Sequence, residues 1–169
     1  MSGAPTVAYV GVGANMDEPR EQVERGIDAL GTLPETHLVA RSGLYASAPV
    51  DAPGPDYVNA VVELRTTLGA GALLEELHRI EARFGRQRST RNAPRVLDLD
   101  LLLYGELRSD AASLRLPHPR LHLRAFVLLP LLEVAPDLEV NGLGPLSACL
   151  DRVRDQPVHR LDSGANPAR

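Results

Sequence analysis

Apolar and polar positions along the chain divide it into short segments that predict strands alternating with helices. The apolar run Thr6–Gly13 predicts a buried strand. In residues 17–31, apolar side chains recur at helical spacing, which predicts a helix with its N-cap at Asp17 and its end at Gly31. Gly11–Asn15 lacks the third glycine of a dinucleotide-binding loop, so it predicts a tight turn at the end of the first strand.

The middle of the chain continues this alternation. Residues 36–47 predict extended structure with a bend or hairpin at Ser42-Gly43, and the proline-rich residues 48–56 predict a loop. Alternating residues over Tyr57–Thr66 predict another strand. Residues 71–85 then predict the clearest helix of the chain, ending at Gly85. Its predicted apolar side consists of Leu73, Leu74, Leu77, Ile80, Ala82 and Phe84.

The last part of the chain begins with a leucine-rich strand over residues 96–104. A short strand over 113–119 and a helix over 124–136 complete the predicted core, followed by a helix near 145–153 and a strand over 157–161. This order predicts an α+β fold with a ferredoxin-like core, in which helices cover one face of a mostly antiparallel sheet. We predict a single domain over 1–169, with a core of about 6–161 and a frayed tail over 162–169.

Composition and charge narrow the possible functions. The net charge of −4 argues against general nucleic-acid binding, because there is no basic excess to neutralise a phosphate backbone. The apolar run Ala125–Leu132 is far shorter than the ~20 residues of a membrane span. Cys149 is the single cysteine, which favours a reducing, cytoplasmic location. All 18 basic residues are arginine, which excludes Schiff-base lysine chemistry and a phosphate-loop lysine.

Two aspartates interrupt the leucine-rich strand. Because side chains alternate across a strand, Asp98 and Asp100 share one face with Leu102 and Tyr104. The leucines predicted on the other face are Leu97, Leu99, Leu101 and Leu103. Carboxylates this close repel each other, and burying either one unpaired costs several kcal/mol. Salt bridges to arginine or a bound Mg²⁺ would both compensate, and Mg²⁺ is typically held by one or two protein carboxylates.

An arginine-rich segment precedes the aspartates. Its arginines are Arg86, Arg88, Arg91 and Arg95, and no acidic residue lies among them. Guanidinium groups bind phosphate in a bidentate way and keep their charge, so the segment beside two carboxylates predicts a polyphosphate site. An RNA-binding loop is the alternative for the arginines alone, but it does not account for Asp98 and Asp100.

The same segment carries a family resemblance. Residues 91–105 resemble the signature of the 6-hydroxymethyl-7,8-dihydropterin pyrophosphokinase family, in which R-x-x-D-L-D is followed by aliphatic residues. Residues 7–16, 55–64 and 115–138 resemble further blocks of that family, in the same order and with similar spacing. The resemblance therefore covers the chain from about Thr6 to Leu138.

The resemblance implies transfer of pyrophosphate from ATP to the hydroxymethyl group of 6-hydroxymethyl-7,8-dihydropterin, with release of AMP, in folate biosynthesis. It implies two Mg²⁺ ions on Asp98 and Asp100, with Arg86 and Arg95 also catalytic. The implied ATP-binding residues are Glu81, Arg86, Arg88, Arg91, Arg95, His118 and Arg124. The implied pterin-binding residues are Ser47, Val50, Tyr57, Asn59 and Phe126. We also expect the protein to act on small molecules, to be a monomer and to bind neither nucleic acid nor membranes.

Some positions depart from the family pattern. Asn92 replaces an aromatic residue found in several members, and the arginine loop is about one residue shorter. Pro119 stands where bacterial relatives often carry tyrosine, and Ser47-Ala48 replaces a Thr-Pro pair. Two other classes remain as alternatives: a non-catalytic nucleotide sensor or RNA-binding module, and a Mg²⁺-dependent phosphotransferase with another acceptor.

Overall fold

The structure is a computed structural model that describes residues 4–48, 55–85 and 96–161. The predicted site residues outside these ranges are Val50, Arg86, Arg88, Arg91 and Arg95, together with Asn92.

Strands and helices follow the predicted order. The strands are β1 (Thr6–Ala14), β2 (Thr36–Arg41), β3 (Tyr45–Ser47), β4 (Tyr57–Thr66), β5 (Asp98–Tyr104), β6 (Ser109–Ala111), β7 (Leu114–Leu116), β8 (Glu139–Val140), β9 (Gly144–Pro145) and β10 (Val158–Arg160). The helices are α1 (Pro19–Leu30), α2 (Ala70–Arg83), α3 (Ala125–Val134) and a 3-10 helix over Leu146–Val153. No helix in the described part of the chain is long and apolar enough to cross a membrane.

A six-stranded antiparallel sheet forms the centre of the fold, in the order β10-β3-β4-β1-β5. The sixth strand, β2, pairs with the distal half of β4, while β3 pairs with residues 57–59 at its start. The bend at Ser42-Gly43 therefore separates two strands along one edge of β4 and does not form a hairpin. The predicted α+β class with a mostly antiparallel sheet is confirmed.

Helices cover both faces of this sheet, so the expectation of a single covered face is wrong. On one face, α1 and α2 bury Ile27 and Leu77 in a first core. On the other face, α3 and the 3-10 helix bury Leu128 and Leu146 in a second core. The helix predicted over 124–136 is confirmed as α3, which lies between the sheet and the 3-10 helix. It is therefore apolar on most sides and lacks a clear amphipathic stripe.

Two details of the helices differ from the prediction. The N-cap of α1 is Glu18 and not Asp17; both residues have positive φ, at 63° and 57°. The Asp17 carbonyl instead accepts a hydrogen bond of 2.9 Å from Gln22 Nε2. In α2, Ala82 is exposed and Glu81 is buried, so a carboxylate occupies part of the face predicted to be apolar.

The predicted strand over 113–119 is observed as the shorter β7, whereas β6, β8 and β9 were not predicted, because they are only two or three residues long. Alternation over so few residues carries little information.

Candidate active site

A cavity of about 890 Å³ opens on the face of the sheet that α3 covers in part. Seven of the predicted site residues lie along its wall: Ser47, Tyr57, Asn59, Asp98, Asp100, Arg124 and Phe126. They come from β3, β4, β5 and the start of α3, so the fold brings together side chains that are up to 79 positions apart (126 − 47).

Two glycines of β1 form the floor between these groups. Gly13 is paired with Asn59 on β4 and with Asp98 on β5, and Gly11 is paired with Asp100. A Cβ atom at Gly13 would lie 3.2 Å from Asn59 Oδ1, which is closer than ordinary contact. The predicted tight turn over Gly11–Asn15 is therefore wrong. Both glycines lie inside β1, where a missing side chain leaves room above the sheet.

The aspartates stand at one end of β5. Asp98 is half-buried and Asp100 is exposed, and the leucine between them is buried in the first core. This alternation is as predicted and directs both carboxylates towards the cavity.

A β-bulge ends the alternation at Leu102. Val10 is paired with Leu101 and Tyr9 with Leu103, so Leu102 is an extra residue between them. Because an extra residue exchanges the two faces, Leu103 enters the second core and Tyr104 packs against the first. The predicted faces of Leu103 and Tyr104 are therefore wrong.

Glu81 connects α2 to the aspartate strand. Its side chain is buried, with 4% exposure, and Oε2 accepts a hydrogen bond of 2.8 Å from the Leu99 N–H. That N–H lies between Asp98 and Asp100, so the carboxylate contacts the backbone that carries them. Glu81 is not part of the cavity wall.

A basic group lies beside Asp100. The His118 N–H donates to the Leu102 carbonyl at 2.9 Å, and His118 Nδ1 accepts from the Arg120 N–H at 3.1 Å. Burial lowers the pKa of His118; Asp100 opposes this shift, while Arg124 and Arg120 add to it. A neutral imidazole whose Nδ1 is an acceptor carries its proton on Nε2. His118 therefore offers a hydrogen-bond donor near Asp100, although it does not line the cavity itself.

The side of the cavity away from the aspartates has buried polar side chains at its base and aromatic side chains at its rim. Asn59 and Ser47 are buried, at 6% and 4% exposure, and Asn59 Nδ2 donates to Ser47 Oγ at 2.8 Å. This bond leaves Asn59 Oδ1 as an acceptor on the side of Gly13. Tyr57 lies two residues away on the same strand, and Phe126 comes from α3. The arrangement suits a flat ring with hydrogen-bonding edges.

Further residues of the cavity wall were not predicted. Arg120 follows His118 in a block of sequence that was already of interest, so its charge could have singled it out. Leu123, at 49% exposure, carries no chemical signal. Gln156, Pro157 and Val158 come from the segment before and within β10. Nothing in their local sequence pattern indicates a site, because they reach the cavity only through the pairing of β10 with β3 and the contacts of Gln156 with the start of α3.

These features define an α+β protein whose cavity joins paired carboxylates and arginine to a wall of amide, hydroxyl and aromatic side chains. The chain belongs to the family described as 7,8-dihydro-6-hydroxymethylpterin-pyrophosphokinase (HPPK), whose model matches residues 9–136. The resemblance predicted from residues 91–105 is confirmed.

Curated relatives share most of the chain. It is 49% identical over 154 residues to the 2-amino-4-hydroxy-6-hydroxymethyldihydropteridine pyrophosphokinase of Pseudomonas aeruginosa, covering 90% of this chain and 95% of the relative. The enzyme of the same name from Haemophilus influenzae is 45% identical over 156 residues, covering 92% and 98%.

A solved structure has the same fold. The crystal structure of HPPK-DHPS in complex with substrates superposes with a TM-score of 0.71 at 11% sequence identity. The match covers 88% of this chain and 43% of that longer chain. At this identity the likeness concerns the fold alone.

Proposed function

We propose that this chain transfers the pyrophosphoryl group of ATP to 6-hydroxymethyl-7,8-dihydropterin in folate biosynthesis. The hydroxymethyl oxygen attacks the β-phosphorus, the bond from that phosphorus to the α–β bridging oxygen breaks, and AMP leaves. The hydroxyl proton passes to solvent. Family membership supports this reaction. The observation that supports it most is that Gly13 is paired with Asn59 on one side and with Asp98 on the other, so the amide and the carboxylate lie on strands that flank the same glycine.

The pterin is bound on the side of Asn59. Its amide-containing edge is read by Asn59 Oδ1, which the bond to buried Ser47 holds in one orientation. Tyr57 and Phe126 supply aromatic surface for the ring. Because Asn59 is buried and already bonded, it presents a fixed acceptor without reorganisation, which favours binding in one pose.

The triphosphate is bound on the side of the aspartates. Two carboxylates on one strand face fit Mg²⁺, a hard cation that takes oxygen ligands and fills its remaining positions with water and phosphate. Within the described ranges, no group of three or more His, Cys, Asp or Glu side chains could hold a metal ion. Because Mg²⁺ is usually held by only one or two protein carboxylates, Asp98 and Asp100 would share two Mg²⁺ ions with the nucleotide. Bound Mg²⁺ neutralises phosphate charge and acidifies the attacking hydroxyl.

Cationic and donor groups complete the phosphate site. We propose that Arg124 and His118 contact phosphate oxygens, with Arg120 beside them. The family resemblance assigns Glu81 to ATP, which stays a prediction, and its bond to the Leu99 N–H also holds the backbone of β5. The family resemblance assigns Val50 to the pterin and Arg86, Arg88, Arg91 and Arg95 to ATP, with Arg86 and Arg95 catalytic; these assignments stay predictions. All described groups work by position and charge, and none is required as a strong base.

We further propose that the chain acts as a cytoplasmic monomer on small molecules alone. The described residues that line the cavity come from several elements of one chain, and ATP with Mg²⁺ is abundant in the cytoplasm. Size-exclusion chromatography with light scattering would test the monomer, since a stable dimer would give twice the 18.2 kDa mass.

The reaction is tested by incubating the protein with ATP, Mg²⁺ and 6-hydroxymethyl-7,8-dihydropterin and separating the nucleotides. We expect one AMP for each pterin consumed and a pterin diphosphate in the phosphorus NMR spectrum. ADP in place of AMP would indicate transfer of a single phosphoryl group. If no nucleotide is consumed, the proposed reaction is wrong and a binding module is favoured.

A further inference from the structure

Gln156 connects the end of the described chain to the start of α3. Its Oε1 accepts a hydrogen bond of 2.8 Å from the Ala125 N–H, and its Nε2 donates one of 2.8 Å to the Leu123 carbonyl. These contacts span 31 and 33 positions of sequence. Gln156 lies beyond residues 9–136, where the family model matches, and it lines the cavity.

The two bonded groups belong to the peptide units on either side of Arg124. Arg124 is the N-cap residue of α3, with extended backbone angles and no side-chain cap of its own. The first N–H groups of a helix lack partners within it, and a side-chain oxygen usually supplies one. Here the Gln156 amide supplies that acceptor from a distant part of the chain. It also binds the carbonyl before Arg124.

The other end of α3 is fixed independently. Glu133 accepts hydrogen bonds from the Gly43 N–H at 3.1 Å, from the Tyr45 hydroxyl at 2.7 Å and from Arg160 at 3.1 Å. Because these bonds hold the C-terminal turn to β3 and β10, loss of the Gln156 amide would release the N-terminal turn alone.

We infer that Gln156 is a positioning residue that holds the first turn of α3 over the cavity, and with it Arg124 and Phe126. The inference rests on the proposed function, in which these two side chains bind phosphate and pterin. Val158 is paired with Ser47, so the segment that carries Gln156 is also fixed to the pterin side of the site. The segment over 156–158 thus ties both substrate sites to one backbone.

The test compares Gln156→Ala with Gln22→Ala. Gln22 is a matched control, because its Nε2 also donates to a backbone carbonyl just before a helix, that of Asp17 before α1, outside the cavity wall. We expect Gln156→Ala to raise KM for the pterin about tenfold, since small misplacement of binding groups is costly. Gln22→Ala should keep both KM values. A merely destabilised enzyme would lose kcat through fewer active molecules and keep its KM.

A measurement without substrate separates this inference from the proposed reaction. Hydrogen exchange of the Ala125 amide should be about tenfold faster in Gln156→Ala, as expected for one lost hydrogen bond. In Gln156→Glu, the carboxylate still accepts from Ala125 but cannot donate to Leu123, so Ala125 protection should remain while KM rises. Unchanged Ala125 exchange in Gln156→Ala, or unchanged KM in an active enzyme, would overturn the inference. An inactive wild-type protein with the exchange pattern intact would overturn only the proposed reaction.

Discussion

The two aspartates face glycines, and this explains how acidic side chains are accommodated in a strand of leucines. Asp98 is paired with Gly13 and Asp100 with Gly11, so neither carboxylate has a bulky neighbour on β1. The leucines at the alternate positions pack in the first core and hold β5 in place. The carboxylates are therefore available to a cation without disturbing the packing beneath them.

Replacing either aspartate by asparagine should abolish most activity and leave the fold intact. Asp98→Asn and Asp100→Asn keep the shape but remove a negative charge that a bound metal ion needs, so turnover should fall about 10³-fold. Release of AMP at saturating substrates measures the loss, and circular dichroism checks the fold. Asp110→Asn, in the exposed β6 strand, is the control and should keep full activity. Near-normal turnover of both site variants at saturating Mg²⁺ would contradict the metal assignment.

At Arg120, the contribution of the guanidinium to phosphate binding can be tested without removing the backbone hydrogen bond to His118. Its N–H binds His118 Nδ1, and this bond survives in Arg120→Ala. The variant therefore loses only the guanidinium beside the phosphate site. We expect KM for ATP to rise about fivefold, on the scale of one partly exposed charge contact. Arg115→Ala, an exposed position on β7 outside the cavity wall, should leave KM unchanged. Equal effects of both variants would mean that only net charge matters.

At the scale of elements, hydrophobic periodicity predicted the helices and strands that pack against the same kind of apolar surface along their whole length. Both amphipathic helices and the strands β1, β4 and β5 were predicted, because each buries a regular stripe or face. The bulge at Leu102 could not be predicted, since it arises from the register between β1 and β5 and not from β5 alone. For the same reason Ala82 was placed on the buried face, although the partner of α2 there is a backbone N–H that Glu81 satisfies.

Residues of the candidate site likewise differ in whether their own sequence or their contacts with other elements reveal them. Asp98 could be singled out from the sequence because a carboxylate is unusual in a leucine-rich strand, whereas Asn59 and Phe126 were predicted from the family resemblance. Gln156 could not be predicted, because its amide is informative only once α3 lies beside β10. Charge and aromatic character are properties of a residue, whereas hydrogen-bond partners at long sequence separation are properties of the fold.

Glu81→Ala should weaken both stability and activity through the link between α2 and β5. It leaves the Leu99 N–H without its buried acceptor, which costs about 1–3 kcal/mol of the free energy of unfolding. Because that N–H lies between the aspartates, turnover should also fall. Urea unfolding and AMP release measure the two effects. Glu75→Ala, on the exposed side of α2, is the control and should change stability by less than about 0.5 kcal/mol. A fully stable, fully active Glu81→Ala would show that the contact is dispensable.

At the scale of the whole molecule, one sheet carries two hydrophobic cores. Successive residues of β4 serve different cores: Val61 packs with α3 in the second, and Val62 with the helices of the first. Neither core can therefore be lost without exposing one face of the same strands. The cavity occupies the part of the second face that α3 leaves open, so its walls depend on both cores being formed.

This coupling predicts that the chain unfolds as a single domain. Leu77→Ala in the first core and Leu128→Ala in the second each remove a fully buried side chain, and each should lower the free energy of unfolding by about 2–5 kcal/mol. In urea, far-UV circular dichroism and tyrosine fluorescence should give coincident transitions for both variants. Leu107→Ala, at a position with 45% exposure, should shift the midpoint little. Separate transitions in Leu128→Ala would mean that α3 and its cavity wall unfold on their own, because the shared strands would then have stayed folded with one face uncovered.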